Sequence, residues 1–287
     1  NTYCEPRAST TAKPFIEDFE TGYAENEVVE GCFIYGNDVQ FSAASTYNYQ
    51  SYPYYTINPY EGGKFGYFSK NNGQLSAFYP VTLQKDSNYY ASIHVIGCYG
   101  RITNGAKLFI STEPSMDRSK WVEYLDSADV VSGTWTQLKG YFNTKNTGDY
   151  YLGIYLDSYP YYGGVSGIDN IKLMQRNCIP PTNVEPVTIK SDSVELVITS
   201  TATQWEVILH DAVFNPETET TLDFVYDTII NSRNVILNGL TSNKVYYYTV
   251  RSIIPATGEV SEWTELGSFT TACAPFAVPF EENFEAN

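Results

Sequence analysis

The chain has 287 residues, with 33 acidic against 17 basic side chains and a formal net charge of −16. That balance, with no cluster of Lys or Arg anywhere, excludes nucleic acid as a partner. Hydrophobic residues reach 43% and aromatic residues 16%, including 26 Tyr, so there is ample apolar surface for a core and intrinsic disorder is excluded. No apolar run approaches the roughly 18 residues that span a bilayer, and no membrane insertion is expected. With no leader before Asn1, the chain reads as a mature, secreted fragment, extracellular or at a bacterial cell surface.

The N-terminal segment contains a motif that returns at the other end. Pro14-Phe15-Ile16-Glu17-Asp18-Phe19-Glu20 recurs as Pro279-Phe280-Glu281-Glu282-Asn283-Phe284-Glu285, each copy preceded by a cysteine, Cys4 or Cys273. The spacing predicts a tandem array. Residues 1–12 are then the tail of a preceding repeat and 273–287 the start of the next, with adjacent repeats of the same chain as neighbours.

Between these ends the apolar pattern has period two and is punctuated by Gly, Asn, Pro and Ser, which predicts an all-β protein. Tyr90–Ile96, Lys107–Ile110, Trp135–Tyr141 and Tyr150–Leu156 read as sandwich strands. Gly73, Gly105, Gly133, Gly148 and Gly163-Gly164 are assigned to the turns between them. From Cys178-Ile-Pro-Pro the strands become shorter and more closely spaced, so a first domain over 13–176 and a second over 178–272 are expected. In the second, Val194, Leu196 and Ile198 and then Trp205, Val207 and Leu209 alternate inward as two strands of one sandwich core.

The stretch Leu240-Thr-Ser-Asn-Lys-Val-Tyr246-Tyr-Tyr248-Thr-Val250 resembles the E–F corner and F strand of fibronectin type III domains. The resemblance implies that Tyr246 is the tyrosine-corner residue, that Trp205 is the core aromatic of strand C, and that Ser268-Phe-Thr-Thr271 belongs to the G strand. In the first domain Pro14-Phe15 through Glu20, Tyr67-Phe-Ser, Trp135-Thr-Gln and Gly167-Ile-Asp-Asn-Ile-Lys-Leu173 resemble the MAM-like, cleaved-adhesin jelly rolls of gingipain-type surface proteins. The fold this implies is a jelly-roll β-sandwich followed by a fibronectin type III sandwich.

Five cysteines are an odd number for a secreted chain. The first and last strands of a jelly roll lie side by side, so Cys4 and Cys178 are expected to form a bridge, leaving Cys273 for a partner in the next repeat. Cys32 and Cys98 are either a second bridge or two buried thiols.

By period-two geometry Glu17 shares a face with Phe15 and Phe19, and Asp169 with Ile171 and Leu173, so both carboxylates are expected to point into the core from neighbouring strands. Together with Asp18 or Glu20 they make a candidate site for a structural Ca²⁺, which the resembling jelly rolls commonly carry. The alternative is that these acids pair with Lys or Arg, or lie at a solvated rim.

Ser51-Tyr-Pro-Tyr-Tyr55 recurs as Ser158-Tyr-Pro-Tyr-Tyr162, which nominates Tyr49, Tyr52, Tyr54, Tyr55, Tyr159, Tyr161 and Tyr162 as ligand-binding residues. Tyr suits stacking on sugar rings or anchoring a protein. The alternative is that Tyr serves this chain for packing. His94 and His210, the two histidines, have no metal-like or triad-like neighbour, and no hydrolase, nucleotide or metalloprotease motif occurs, so no enzyme is expected. The functional expectation is an adhesin segment whose jelly roll binds a host or environmental protein or glycan, with the fibronectin-like domain as spacer. The alternatives are a carbohydrate-binding module with its linker, from a larger secreted glycosidase or protease, and a purely structural stalk.

Overall fold

The computed structural model describes residues 7–8, 15–21, 23–25, 34–35, 40–49, 55–69, 75–97, 101–156, 165–219 and 223–275. The chain divides into two compact units, Asn1–Asn177 and Cys178–Asn287. Among the described residues both are built from strands, and no helix is long and apolar enough to cross a membrane.

In chain order the first unit contains β1 (Arg7–Ala8), β2 (Phe15–Glu17), β3 (Ile34–Tyr35), β4 (Gln40–Ala44), β5 (Tyr47–Tyr49), β6 (Tyr55–Ile57) and β7 (Phe65–Ser69). There follow β8 (Leu75–Leu83), β9 (Asn88–Gly97), β10 (Arg101–Ser111), a 3-10 turn at Arg118–Lys120, β11 (Trp121–Val131), β12 (Thr136–Asn143), β13 (Gly148–Leu156) and β14 (Val165–Arg176). They form two large sheets and a small one in which β5 pairs with β6. The first runs β8-β13-β10-β11, with β1 and β3 on the free edge of β8. The second runs β12-β9-β14-β7-β4, with β2 beside β14. From β8 to β9, β9 to β10, β11 to β12 and onward to β14 the chain changes sheet, which is jelly-roll topology. The first strand of this set lies against the last, with Glu17 opposite Ile171 and Phe15 opposite Leu173.

Alternation sorts the side chains. On β9, Tyr89, Ala91, Ile93 and Val95 face the shared core, as do Leu152, Ile154 and Leu156 on β13. Each fully buried Val, Leu or Ile among them contributes about 1.5–3 kcal/mol relative to exposure. The intervening residues of β9, including His94 and Ile96, emerge on the outer face of the second sheet. Gly105, expected in a turn, lies inside β10, where the register against β11 shifts between Ile102 and Ala106. Gly133 does turn the chain between β11 and β12, with φ of 73°.

The second unit contains β15 (Asn183–Ile189), β16 (Ser193–Thr199), β17 (Gln204–His210), β18 (Tyr226–Ile230), β19 (Asn234–Asn238), β20 (Val245–Ile254), β21 (Glu259–Val260) and β22 (Gly267–Thr270). A sheet β15-β16-β19 faces a sheet β18-β17-β20, with β21 and β22 both on β20. Val194, Leu196, Ile198, Trp205, Val207 and Leu209 all enter one core, as the alternation predicts. The Tyr246 hydroxyl accepts the backbone N–H of Thr241 at 2.9 Å, which is the tyrosine corner of a fibronectin type III sandwich.

The bridge expected between Cys4 and Cys178 is not formed, because Cys178 is a free, buried thiol. It packs into the second unit, where its Sγ donates to the Ser252 carbonyl at 3.3 Å and burial pushes its pKa up to about 11. Cys178 opens the second sandwich rather than closing the first, so its side chain follows the second core. Cys273 is a free, exposed thiol. Cys4, Cys32, Cys98 and the second copy of the terminal motif lie outside the described residues.

Candidate functional site

The outer face of the second sheet is partly roofed by the segment between β4 and β7. The β5–β6 hairpin and its flanks set Ala44 and Ile57 against Phe65 and Tyr67 of β7 and Ile96 of β9, with Tyr47 and Trp135 beside them. This apolar cluster lies outside the sandwich. From it the loop at residues 58–64 crosses the sheet.

Carboxylates hold that loop by its backbone. Asp169 Oδ2 accepts the N–H groups of Tyr60 at 2.9 Å and Glu61 at 3.3 Å, and Glu20 Oε1 accepts those of Gly63 at 2.7 Å and Lys64 at 2.9 Å. Asn170 Nδ2 donates to Glu61 Oε2 at 2.9 Å. Gly62 is required twice over: its φ is +67°, and a Cβ there would overlap the Glu20 carboxylate. Hydrogen bonds from N–H to a carboxylate are charge-assisted and stronger than those between neutral groups.

The inward orientation predicted for Asp169 is incorrect. The pairing of β14 with β9 gains a residue between Asp169 and Lys172, and Asn170 sits there in the left-handed region with φ of 51°. The bulge reverses the alternation: Ile171 and Leu173 enter the core, while Asp169 stands opposite His94 on the outer face. Glu17, paired with Ile171, faces inward at the end of β2, where it accepts the Phe19 N–H at 2.9 Å and the Tyr23 hydroxyl at 3.0 Å. Glu17 and Asp169 are therefore on opposite faces of the sheet. Asp18 Oδ1 accepts the N–H of Glu20 at 3.2 Å. The four predicted ligands do not converge, and no three His, Cys, Asp or Glu among the described residues are grouped to hold a metal. As donors these carboxylates suit Ca²⁺; as arranged they are engaged by N–H and O–H groups.

Asp169 is buried under the loop, and burial raises its pKa to about 6 despite its three backbone N–H partners; Glu20 adds to the rise. Beside it His94 is buried too, and burial, reinforced by Lys172, lowers its pKa to about 4. Its neutral imidazole supports the Tyr60 ring, with centroids 3.6 Å apart and planes 13° apart. Stacked on that base, Tyr60 remains 47% exposed, so its other face meets solvent. Trp135, immediately before β12, stands near-perpendicular to Tyr60 at 70° and 6.2 Å, with its indole N–H fixed on the Asn58 carbonyl at 3.0 Å. The two rings form a floor and a wall, and the exposed amide of Gln137 on β12, paired with His94, borders them.

Of the predicted Tyr ligands, Tyr49 and Tyr55 are paired across the hairpin. Tyr52, Tyr54, Tyr159, Tyr161 and Tyr162 lie outside the described residues. Sequence reasoning missed Tyr60 and treated His94 as isolated. A signal was present: Asn58-Pro-Tyr-Glu-Gly-Gly63 places one aromatic in a Pro/Gly turn, where a large ring has no strand core to enter.

No family model matches the chain, and no curated protein matches it. Solved structures are similar to parts of it. The CBM22-2 xylan-binding domain from Paenibacillus barcinonensis Xyn10C is covered over 99% of its length by 56% of this chain, at 13% identity and a TM-score of 0.41. The fn3 domain of the human collagen alpha-1(XX) chain is covered over 92% of its length by 36% of this chain, at 19% identity and a TM-score of 0.28. A beta-1,2-glucanase from Parabacteroides distasonis is similar across 92% of this chain and 40% of its own, at 12% identity and a TM-score of 0.32.

Proposed function

We propose that the first domain is a carbohydrate-binding module that holds a sugar chain in the corner between Tyr60 and Trp135, and that the fibronectin type III domain is its spacer. The observation that carries this reading is the stacked support of Tyr60. A half-exposed aromatic ring is pressed onto a buried neutral imidazole, and its loop is tied down by two carboxylates. Such a ring is pre-organised, so little conformational entropy is lost when the C–H face of a pyranose settles on it. Trp135 supplies a second apolar wall, and Gln137 a hydrogen-bonding group of the kind that orients a polar ligand. The adhesin reading is the case in which that glycan belongs to a host or environmental surface, and the repeated terminal motif favours an array of such modules.

Affinity electrophoresis in gels containing neutral β-linked polysaccharides tests the proposal. Retardation is expected for the intact protein and its loss for Tyr60→Ala and Trp135→Ala, with thermal unfolding confirming that both variants fold. Binding that survives both substitutions overturns the site. Absence of retardation across all neutral chains leaves the stalk reading for this face.

A further inference from the structure

The outer face of the first sheet carries a second aromatic construction. We infer that it is a platform for an acidic sugar, a pyranose bearing a carboxylate, distinct from the corner on the second sheet. It is layered from the backbone outward. Gly153 of β13 has no Cβ, and the Phe109 ring of β10 occupies the space that one would fill. Trp121 of β11 stacks on Phe109, with centroids 3.8 Å apart and planes 13° apart, and its indole N–H is fixed on the Ser115 carbonyl at 3.3 Å. Tyr124 lies parallel to Trp121 within 5° at a centroid distance of 6.0 Å.

In a regular strand, residues 121 and 124 would project to opposite faces. They share one because the β11 register against β10 slips by one residue: Ser111 pairs with Trp121, whereas Ile110 pairs with Glu123. Val122 is the extra residue of a bulge, a device that re-aims side chains beside functional sites. The result lies on the edge strand of the sheet, with Phe109 fully buried beneath, Trp121 half-buried and Tyr124 46% exposed. Tyr124 is the most exposed ring of this construction, and a pyranose can stack on it.

Charge decides which sugar. In a chain of net charge −16, the exposed Arg118 guanidinium lies over the Trp121 ring, 5.6 Å from its centre, and has no carboxylate partner among the described residues. The neighbouring Lys120 is taken by Glu113 at 2.8 Å. A planar guanidinium lying over Trp121 and next to Tyr124 suits bidentate capture of a carboxylate on a sugar stacked there. A neutral sugar would use the rings and leave Arg118 idle; a uronic acid engages both.

The test compares polygalacturonate with the same polymer after carboxyl reduction, by calorimetry on the full chain. Tighter binding of the acidic form is expected, by about tenfold, or roughly 1.4 kcal/mol. Arg118→Gln should erase that preference while leaving the reduced polymer's affinity unchanged, Trp121→Ala should abolish both, and Trp121→Phe should restore part. Tyr60→Ala should alter neither, which separates this platform from the corner on the other sheet. Equal affinity for the two polymers, no binding of either, or full binding by a folded Trp121→Ala overturns the proposal. So does a dimer in sedimentation that Trp121→Ala dissociates, since the face would then be covered by a second copy.

Discussion

The ring of Tyr60 rests on the imidazole of His94, centroids 3.6 Å apart, and the backbone N–H of Tyr60 is held by Asp169, the residue paired with His94 on the next strand. One strand pair thus fixes both the ring and the backbone of the aromatic that faces solvent. Removing the support should act on binding through position: His94→Ala is expected to weaken glycan retardation while Tyr60 is still present, and His94→Phe, which restores a stacking surface, to recover it. Retardation unchanged in His94→Ala would mean that the stack does not position Tyr60.

The two buried groups beneath the loop titrate with opposite consequences. His94 has a folded pKa of about 4, below its ordinary value of 6.5, so its contribution to stability is present above pH 6.5 and is lost as pH falls toward 4. Asp169 has a folded pKa of about 6, above its ordinary 3.8, so its contribution is full below pH 3.8 and is lost as pH rises through 6. In the intact protein the two offset each other between about pH 4 and 6. Melting curves across that window should show His94→Gln gaining stability relative to the parent on acidification, and Asp169→Asn losing it. Parallel curves for parent and variants would refute both assignments.

Glu20 serves as a backbone clamp, accepting two N–H groups from the loop. Glu20→Gln keeps one carbonyl oxygen but removes the charge, and a loss of about 1–2 kcal/mol is expected because hydrogen bonds to charged acceptors are the stronger ones. The same measurement in EDTA separates the two uses of these carboxylates. A melting temperature unaffected by chelator is the outcome expected of a clamp, and a fall that Glu17→Gln or Asp169→Asn abolishes would instead assign Ca²⁺ to them.

In the second domain the hydrogen bond between the Thr241 N–H and the Tyr246 hydroxyl should be worth about 1–2 kcal/mol, since Tyr246→Phe leaves a partly buried donor unpaired. For a sandwich of this size that is a fall of roughly 5–10 °C in melting temperature. A shift below about 2 °C would show that water replaces the lost acceptor at little cost.

Gly153→Ala tests the layered platform on the first sheet. The added methyl would meet the Phe109 ring, and overpacking of this kind costs about 1–3 kcal/mol. It should also displace Trp121, so the intrinsic fluorescence is expected to change together with stability, whereas Gly133→Ala, where φ of 73° strains a side chain in open space, should lower stability alone.

What the sequence determined by itself was whatever period-two alternation and turn chemistry control. The all-β class, the strands around Ile93 and Ile154, the core partners of Trp205 and the tyrosine corner at Tyr246 were legible because each depends on near neighbours along one strand or across one turn. The candidate sites were decided by tertiary structure, and for a physical reason: both depend on a broken period. One extra residue at Asn170 turned Asp169 from the core to the outer face and away from Glu17. Another, at Val122, brought Trp121 and Tyr124 onto one surface. A bulge forms where a strand meets its partner, and Tyr60 meets His94 only when a distant loop folds over the sheet; neither relation is written in the local pattern of the chain.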